Sequence, residues 1–218
     1  MRSLAQPETM RAAAAAAAIS GLAGYAQLAS WTDRSHALWF LAAALTLSSF
    51  ILWSFVFGWY PRQLGKDVLR SRLPARDWIV TILFGLAGAL VLAAVVDPRL
   101  RPLKPGDYPE TLPDWIAGAL FSLSFSHLVV CYAPMAFFLR LSGHPKVAVF
   151  LTVALGEFLL GLQLNAASIQ LDLPFTLLLY GVRAVLGWAA AWVFLRGGVV
   201  LGTVWTLLLE GRLLVMLL

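Results

Sequence analysis

Four side chains able to do acid–base, ligand or ion-pair chemistry stand inside otherwise apolar runs. They are His127 in "FSHLVVC", Glu157 in "ALGEFLLGLQ", Arg183 in "YGVRAVLG" and Glu210 in "LLLEGRL". A charge at the centre of a bilayer costs about 2.5–3.5 kcal/mol on insertion scales, so such residues face a bundle interior and pair there, or line a site. Three chemistries fit these types. In the first, Arg183 is sandwiched between Glu157 and Glu210, His127 adds a hydrogen bond, and the group locks helices together. In the second, a carboxylate in an apolar pocket, Glu157 or Glu210, works with His127 as general acid or base on a membrane-buried substrate. In the third, His127 is an axial ligand for haem or chlorophyll, or the group belongs to a transport path. A metal site is not called, because the residues come singly from separate segments without the HExxH or ExxH spacing that places two ligands on one helix face.

The elements that must carry these residues are membrane helices. Of the 218 residues, 61% are hydrophobic and 12% charged, far from the roughly 45–50% apolar and 25% charged of soluble domains. Runs long enough to cross the hydrocarbon as helices, about 20 residues each, cover 10–31, 37–58, 78–96, 115–139, 147–168, 173–195 and 199–217. The expectation is an all-α, polytopic membrane bundle of about seven transmembrane helices in one domain. The first run, "RAAAAAAAISGLAGYAQLAS", is the least hydrophobic, and its basic start also allows a signal-peptide reading; it is counted here as a span. With about 1.5 Å of rise per residue, each of the four polar residues lies roughly 15–18 Å from the start of its own span, near the midplane of a core about 30 Å thick. Depth alone therefore groups His127, Glu157, Arg183 and Glu210 into one buried polar cluster.

Charge sets the orientation. The segment 61–77 carries Arg62, Lys66, Arg70, Arg72 and Arg76, while the connection 165–173 has no Lys or Arg. The positive-inside rule puts 61–77 in the cytoplasm, which gives N-in and C-out and leaves Arg34, Arg99, Arg101 and Lys104 outside. Within 61–77, Leu64, Val68, Leu69 and Leu73 fall near helical spacing, which predicts a short basic helix on the membrane surface. The outside loop 97–114 has Pro at 98, 102, 105, 109 and 113, a spacing that predicts extended, polyproline-like chain. Trp31, Trp59, Trp78 and Trp115 sit at span ends as interfacial anchors, and Gly85/Gly88 and Gly198/Gly202 offer small faces for close helix packing. Pro134 predicts a kink that frees a carbonyl near His127. Arg212 reads as a residue that snorkels outward, and Gln163, Asn165 and Ser168 as interfacial polar groups. Cys131 is the single cysteine, so no intramolecular disulfide forms.

The stretch "LPFTLLLYGVRAVLGWAAAWVFLRGG", then "VVLGTVWTLLLEGRLL", with "FLRLSGHPKVAVFLTVALGEFLLGL" upstream, resembles the closing helices of the CPBP family, the CAAX-protease-like intramembrane proteases. The resemblance covers roughly residues 120–215 and lies in hydrophobic rhythm and turns. It implies a helical scaffold on which glutamates and histidines activate water against a peptide bond. The motifs themselves are not filled. The family's EExxxR has no counterpart in "SHLVVCYAP"; its FxxxH becomes Phe158 with Leu162 at the histidine position; its HxxxN falls on Thr206 and Glu210. The resemblance thus implies a degenerate member, a pseudoenzyme whose former cavity is refilled by His127, Glu157, Arg183 and Glu210, and no catalytic residue is carried over from it.

No P-loop, GxSxG or GxGD motif occurs, and there is no soluble domain for a nucleotide. The few basic residues lie against the bilayer, so nucleic acid is not an expected partner. The functional expectation is a non-catalytic accessory or scaffold subunit of a larger complex, in a bacterial inner membrane, that binds lipids, pigments or other membrane proteins. No cofactor is required by the sequence. The alternatives are an intramembrane hydrolase using Glu157 or Glu210 with His127, and a pigment- or haem-binding subunit through His127.

Overall fold

A computed structural model of the chain describes residues 4, 6–31, 35–70, 72–167, 169 and 171–217. Arg34 and Ser168, which the sequence reading placed outside, lie beyond the described residues. The chain is all-α. Among the described residues six continuous helices are long and apolar enough to cross a membrane, which makes it a multi-pass membrane protein. We label them α1 (Pro7–Trp31), α2 (Ala37–Leu64), α3 (Ala75–Leu100), α4 (Leu112–Ser142) and α5 (Pro145–Ala166), followed by Leu173–Val215.

The last of these has 43 residues, roughly 65 Å if straight and twice what a bilayer needs. It does not stay straight. Gly198 has φ 62° and ψ −150°, a conformation essentially reserved for glycine. A Cβ built on Gly88 would lie 2.8 Å from Leu186 and 3.1 Å from Leu209, residues that an unbroken helix would hold about 34 Å apart. The segment is therefore a hairpin of α6 (173–197) and α7 (199–215), which gives seven long helices among the described residues. Gly198, expected to belong to a small-residue packing face, is instead the hinge. Its Cβ position is filled by the Val68 carbonyl oxygen. Gly85 and Gly88 do serve close packing, since α3 meets Leu208 of α7 and Leu186 of α6 there.

At one end of the bundle, 65–74 is not the expected surface helix. Gly65 at φ 62° ends α2 and Pro74 precedes α3, which leaves too few residues for a stable helix. The connector's described residues, 65–70 and 72–74, form no helix and dock on the hinge: Val68 is buried and its carbonyl accepts from Val199 N at 3.1 Å. The unpaired carbonyls at the end of α6 are taken up by Tyr60 OH on Phe194 O (2.9 Å), Lys66 Nζ on Leu195 O (3.5 Å) and Arg70 on Arg196 O (2.8 Å). Donors at a helix C-terminus satisfy carbonyls that have no intrahelical partner. The basic residues thus hold the hinge as well as marking the charged face of the protein.

At the opposite end, α3 continues to Leu100 through Pro98, where extended chain was expected. A widened, π-type turn at Leu92–Val96 directly precedes Asp97–Leu100; it shifts the hydrogen-bond pattern so that the missing proline N–H is tolerated. α4 uses the same device twice, with π-type turns at Ser122–Ser126 and Leu128–Tyr132 on either side of His127 and just before Pro134. Ser20 of α1 donates to the Ser124 carbonyl at 2.9 Å, using one group in the first of these turns. α4 starts at a capping box in which Thr111 Oγ1 accepts from Asp114 N and Asp114 Oδ2 accepts from Thr111 N. α6 starts on Asp172, whose Oδ1 accepts from Phe175 N at 3.0 Å. Such caps fix where a span begins.

Candidate functional site

The helices enclose a cavity of about 410 Å³ whose walls carry His127, Glu157, Arg183 and Glu210 together. All four predicted residues reach it, from α4, α5, α6 and α7. Its inner wall includes Cys131, Thr152 and Trp205, and its outer end reaches Lys104, Asp107 and Tyr108 of the Pro-rich connection. Gln163, expected to be a plain interfacial residue, is also in the wall. The cavity therefore runs from beneath that connection into the bundle.

Pairing inside it differs from the expectation. No nitrogen–oxygen approach of 4.0 Å or less joins Arg183 to Glu157 or Glu210; the ion pairs among the described residues are Lys104–Asp107, Arg196–Asp77 and Arg212–Asp97. Arg183 is exposed, and it stands on the face of α6 that also carries buried Leu179 and Ala190, so what it is exposed to is the cavity. Glu157 Oε2 and His127 Nδ1 are buried without a hydrogen-bond partner. Buried polar atoms without a partner are uncommon, and these two share the cavity. The sandwich of Arg183 between two glutamates is thus replaced by charges held apart across a shared space.

Glu210 moves for a second reason. α7 is short, and Glu210 lies near its outer end, where Trp115 Nε1 donates to the Glu210 backbone carbonyl at 2.9 Å. Its carboxylate has the Ser122 hydroxyl beside it. Two residues on, Arg212 does not snorkel away. It forms a fork with Asp97, Nε to Oδ2 at 2.9 Å and NH2 to Oδ1 at 3.3 Å, and donates to Leu209 O at 2.7 Å. The Asp97 side chain is 2% exposed and that of Arg212 16%. Tyr108 OH donates to Asp97 Oδ1 at 3.0 Å. Burial and the Asp97 carboxylate hold the Tyr108 hydroxyl above the ordinary tyrosine range, so it stays a donor. This latch ties the Pro-rich connection over the mouth of the cavity. Lys104 Nζ and Asp107 pair at 2.9 Å beside it.

The latch was missed in the sequence because its partners are 115 residues apart. The available signal was that Asp97 and Arg212 each end a span on the same expected side of the membrane.

Among the described residues no three His, Cys, Asp or Glu side chains converge to hold a metal ion. Leu162, at the position the family resemblance gives to a histidine, is 49% exposed on α5 and does not line the cavity. Thr206 is fully buried and donates to the Gly202 carbonyl at 2.9 Å. Known protein families, curated proteins and solved structures give no match to the chain.

Proposed function

We propose that the chain is a non-catalytic, multi-pass membrane protein that works as a binding subunit of a larger assembly, with the cavity lined by α3, α4, α5, α6 and α7 as its ligand site. The observation that carries this reading is the cavity itself, walled by polar residues from four helices that make no ion pair with one another. Its size falls within the roughly 300–1,000 Å³ of small-molecule sites. A purely structural ion cluster would close on itself. Short loops and long apolar helix faces support lateral contact with lipid and with other membrane proteins, and a bacterial inner membrane is the proposed setting. A degenerate CAAX-protease-like scaffold is part of the same proposal.

The test is native purification in mild detergent, with mass spectrometry of whatever co-migrates. The expected result is a stoichiometric membrane-protein partner together with a bound small molecule. A chain that runs alone and empty contradicts the reading.

One observation favours a second reading, an intramembrane hydrolase. His127 Nδ1 and Glu157 Oε2 are both buried and unpartnered in the cavity, as a general base and its neighbour would be before substrate enters. Under that reading Glu157→Gln abolishes turnover of a membrane-embedded peptide or ester while the fold persists. Under the binding reading no turnover exists to lose.

A further inference from the structure

The charges in the cavity wall can be sorted by whether they are already satisfied. Asp97 is paired with Arg212 and Lys104 with Asp107. What is left is one base, Arg183, and two acids, Glu157 and Glu210, of which Glu210 has Ser122 beside it. Arg183, Glu157 and His127 line the same cavity, yet the Arg183–Glu157 pair stays open beyond 4.0 Å. In a medium of low dielectric, opposite charges facing one space attract strongly. Here the packing of α5 on α6 holds their helices at a fixed spacing, with Gly187 against Val153 and Gly161 against Tyr180.

A free anion would satisfy Arg183 but meet two carboxylates. A free cation would satisfy a carboxylate but meet Arg183. A group that carries both charges, in the opposite order, satisfies both walls at once. The wall also carries apolar side chains, among them Leu92, Val153, Leu160 and Leu186, beside the polar Thr152 and Gln163, and the site lies within the membrane-spanning part of the bundle. A hydrocarbon tail suits that surroundings and a free polar solute does not.

Resting on the binding reading above, we propose that the cavity takes the head of a dipolar amphiphile, its phosphate on Arg183 and its primary ammonium on Glu157, as in a phosphoethanolamine lipid. The ammonium N–H groups supply donors for the Glu157 oxygen that lacks one, and Arg183 offers the planar fork that suits a phosphate. The Asp97–Arg212–Tyr108 latch closes the outer end over the head.

The experiment uses the full chain, stripped of lipid in detergent and then offered equal amounts of phosphatidylethanolamine and phosphatidylglycerol, with retention read by native mass spectrometry. Soluble glycerophosphoethanolamine is a third arm. The wild-type chain is expected to keep phosphatidylethanolamine at least about tenfold better than phosphatidylglycerol, the loss expected for one charge-assisted contact, and to keep the soluble head poorly. Glu157→Gln is expected to erase that preference without weakening phosphatidylglycerol. Arg183→Gln weakens both lipids about tenfold, and Arg183→Lys restores much of the loss. Equal or stronger retention of phosphatidylglycerol by the wild type overturns the proposal, as does an unchanged preference in Glu157→Gln. Tight binding of the soluble head overturns the lipid assignment. In each of these cases the cavity still binds, and the broader reading survives; retention of none of the three probes by the folded chain overturns the proposal, and the broader reading falls only if native purification also yields the chain alone and empty. Thermal unfolding checks that each variant is folded. If Glu157→Gln fails to fold, the wild-type competition decides alone.

Discussion

Replacing Asp97 by Asn tests how the outer end of the bundle is held. Its carboxylate is almost fully buried and accepts three bonds, two from Arg212 at 2.9 and 3.3 Å and one from Tyr108 at 3.0 Å. Asparagine keeps the shape and one acceptor but leaves Arg212 with no counter-charge. Breaking a fully buried pair costs about 3–5 kcal/mol because a charge is left behind unpaired. Arg212 is 16% exposed and near the end of α7, so its long stem can carry the guanidinium outward, and the cost falls to about 2–3 kcal/mol. Arg212→Met, which removes the charge and keeps the volume, should cost a similar amount through the stranded Asp97. The double variant strands neither, so it should recover about 1.5 kcal/mol or more of the summed loss. The assay is a double-mutant cycle by reversible unfolding in mixed detergent micelles, followed by the summed fluorescence of the nine tryptophans. Costs that simply add to within about 0.5 kcal/mol would refute the coupling, and a wild-type-like Asp97→Asn would refute the latch.

Three further outcomes follow from particular contacts. Gly198→Ala forces a side chain into a glycine-only conformation and against the Val68 carbonyl; it should cost about 2 kcal/mol or more and open the 61–77 connector to protease, read by limited digestion. Gly88→Val drives atoms into Leu186 and Leu209 at 2.8 and 3.1 Å, with an expected loss of about 1–3 kcal/mol in midpoint stability, whereas the same change at Gly106, where a Cβ would meet nothing within 4 Å, should be nearly silent. Thr111→Ala removes the cap of α4 and should cost about 1 kcal/mol, with faster amide exchange confined to residues 112–115.

The helices are legible because apolar runs of bilayer length leave few alternatives, and so is the division of the last stretch into 173–195 and 199–217; that Gly198 is the hinge between them, and not a packing face, rests on its contact with Val68. The 65–74 connector was misread: the spacing of Leu64, Val68, Leu69 and Leu73 resembles a helix, but Val68 is drawn to the Gly198 turn, a contact across 130 residues that local pattern does not carry. The proline spacing over 97–114 predicts extended chain from Asp97 onward, and the π-type turn at Leu92–Val96 that carries the helix on to Leu100 has no signature in composition. Depth counting groups His127, Glu157, Arg183 and Glu210, and all four line one cavity. It could not say how they pair, because depth fixes height in the membrane and not direction around a helix axis. For Glu210 it also measured from the wrong end, since α7 is short and its outer end is the nearer one. Arg212 and Asp97 form the ion pair that the sequence had assigned to Arg183.

The most direct measurement is an experimental density map of the chain in lipid nanodiscs, viewed between α5 and α6. The account predicts non-protein density bridging Arg183 and Glu157, with the two side chains still apart. A map in which Arg183 and Glu157 close into a direct salt bridge, with no bound molecule between them, would contradict it.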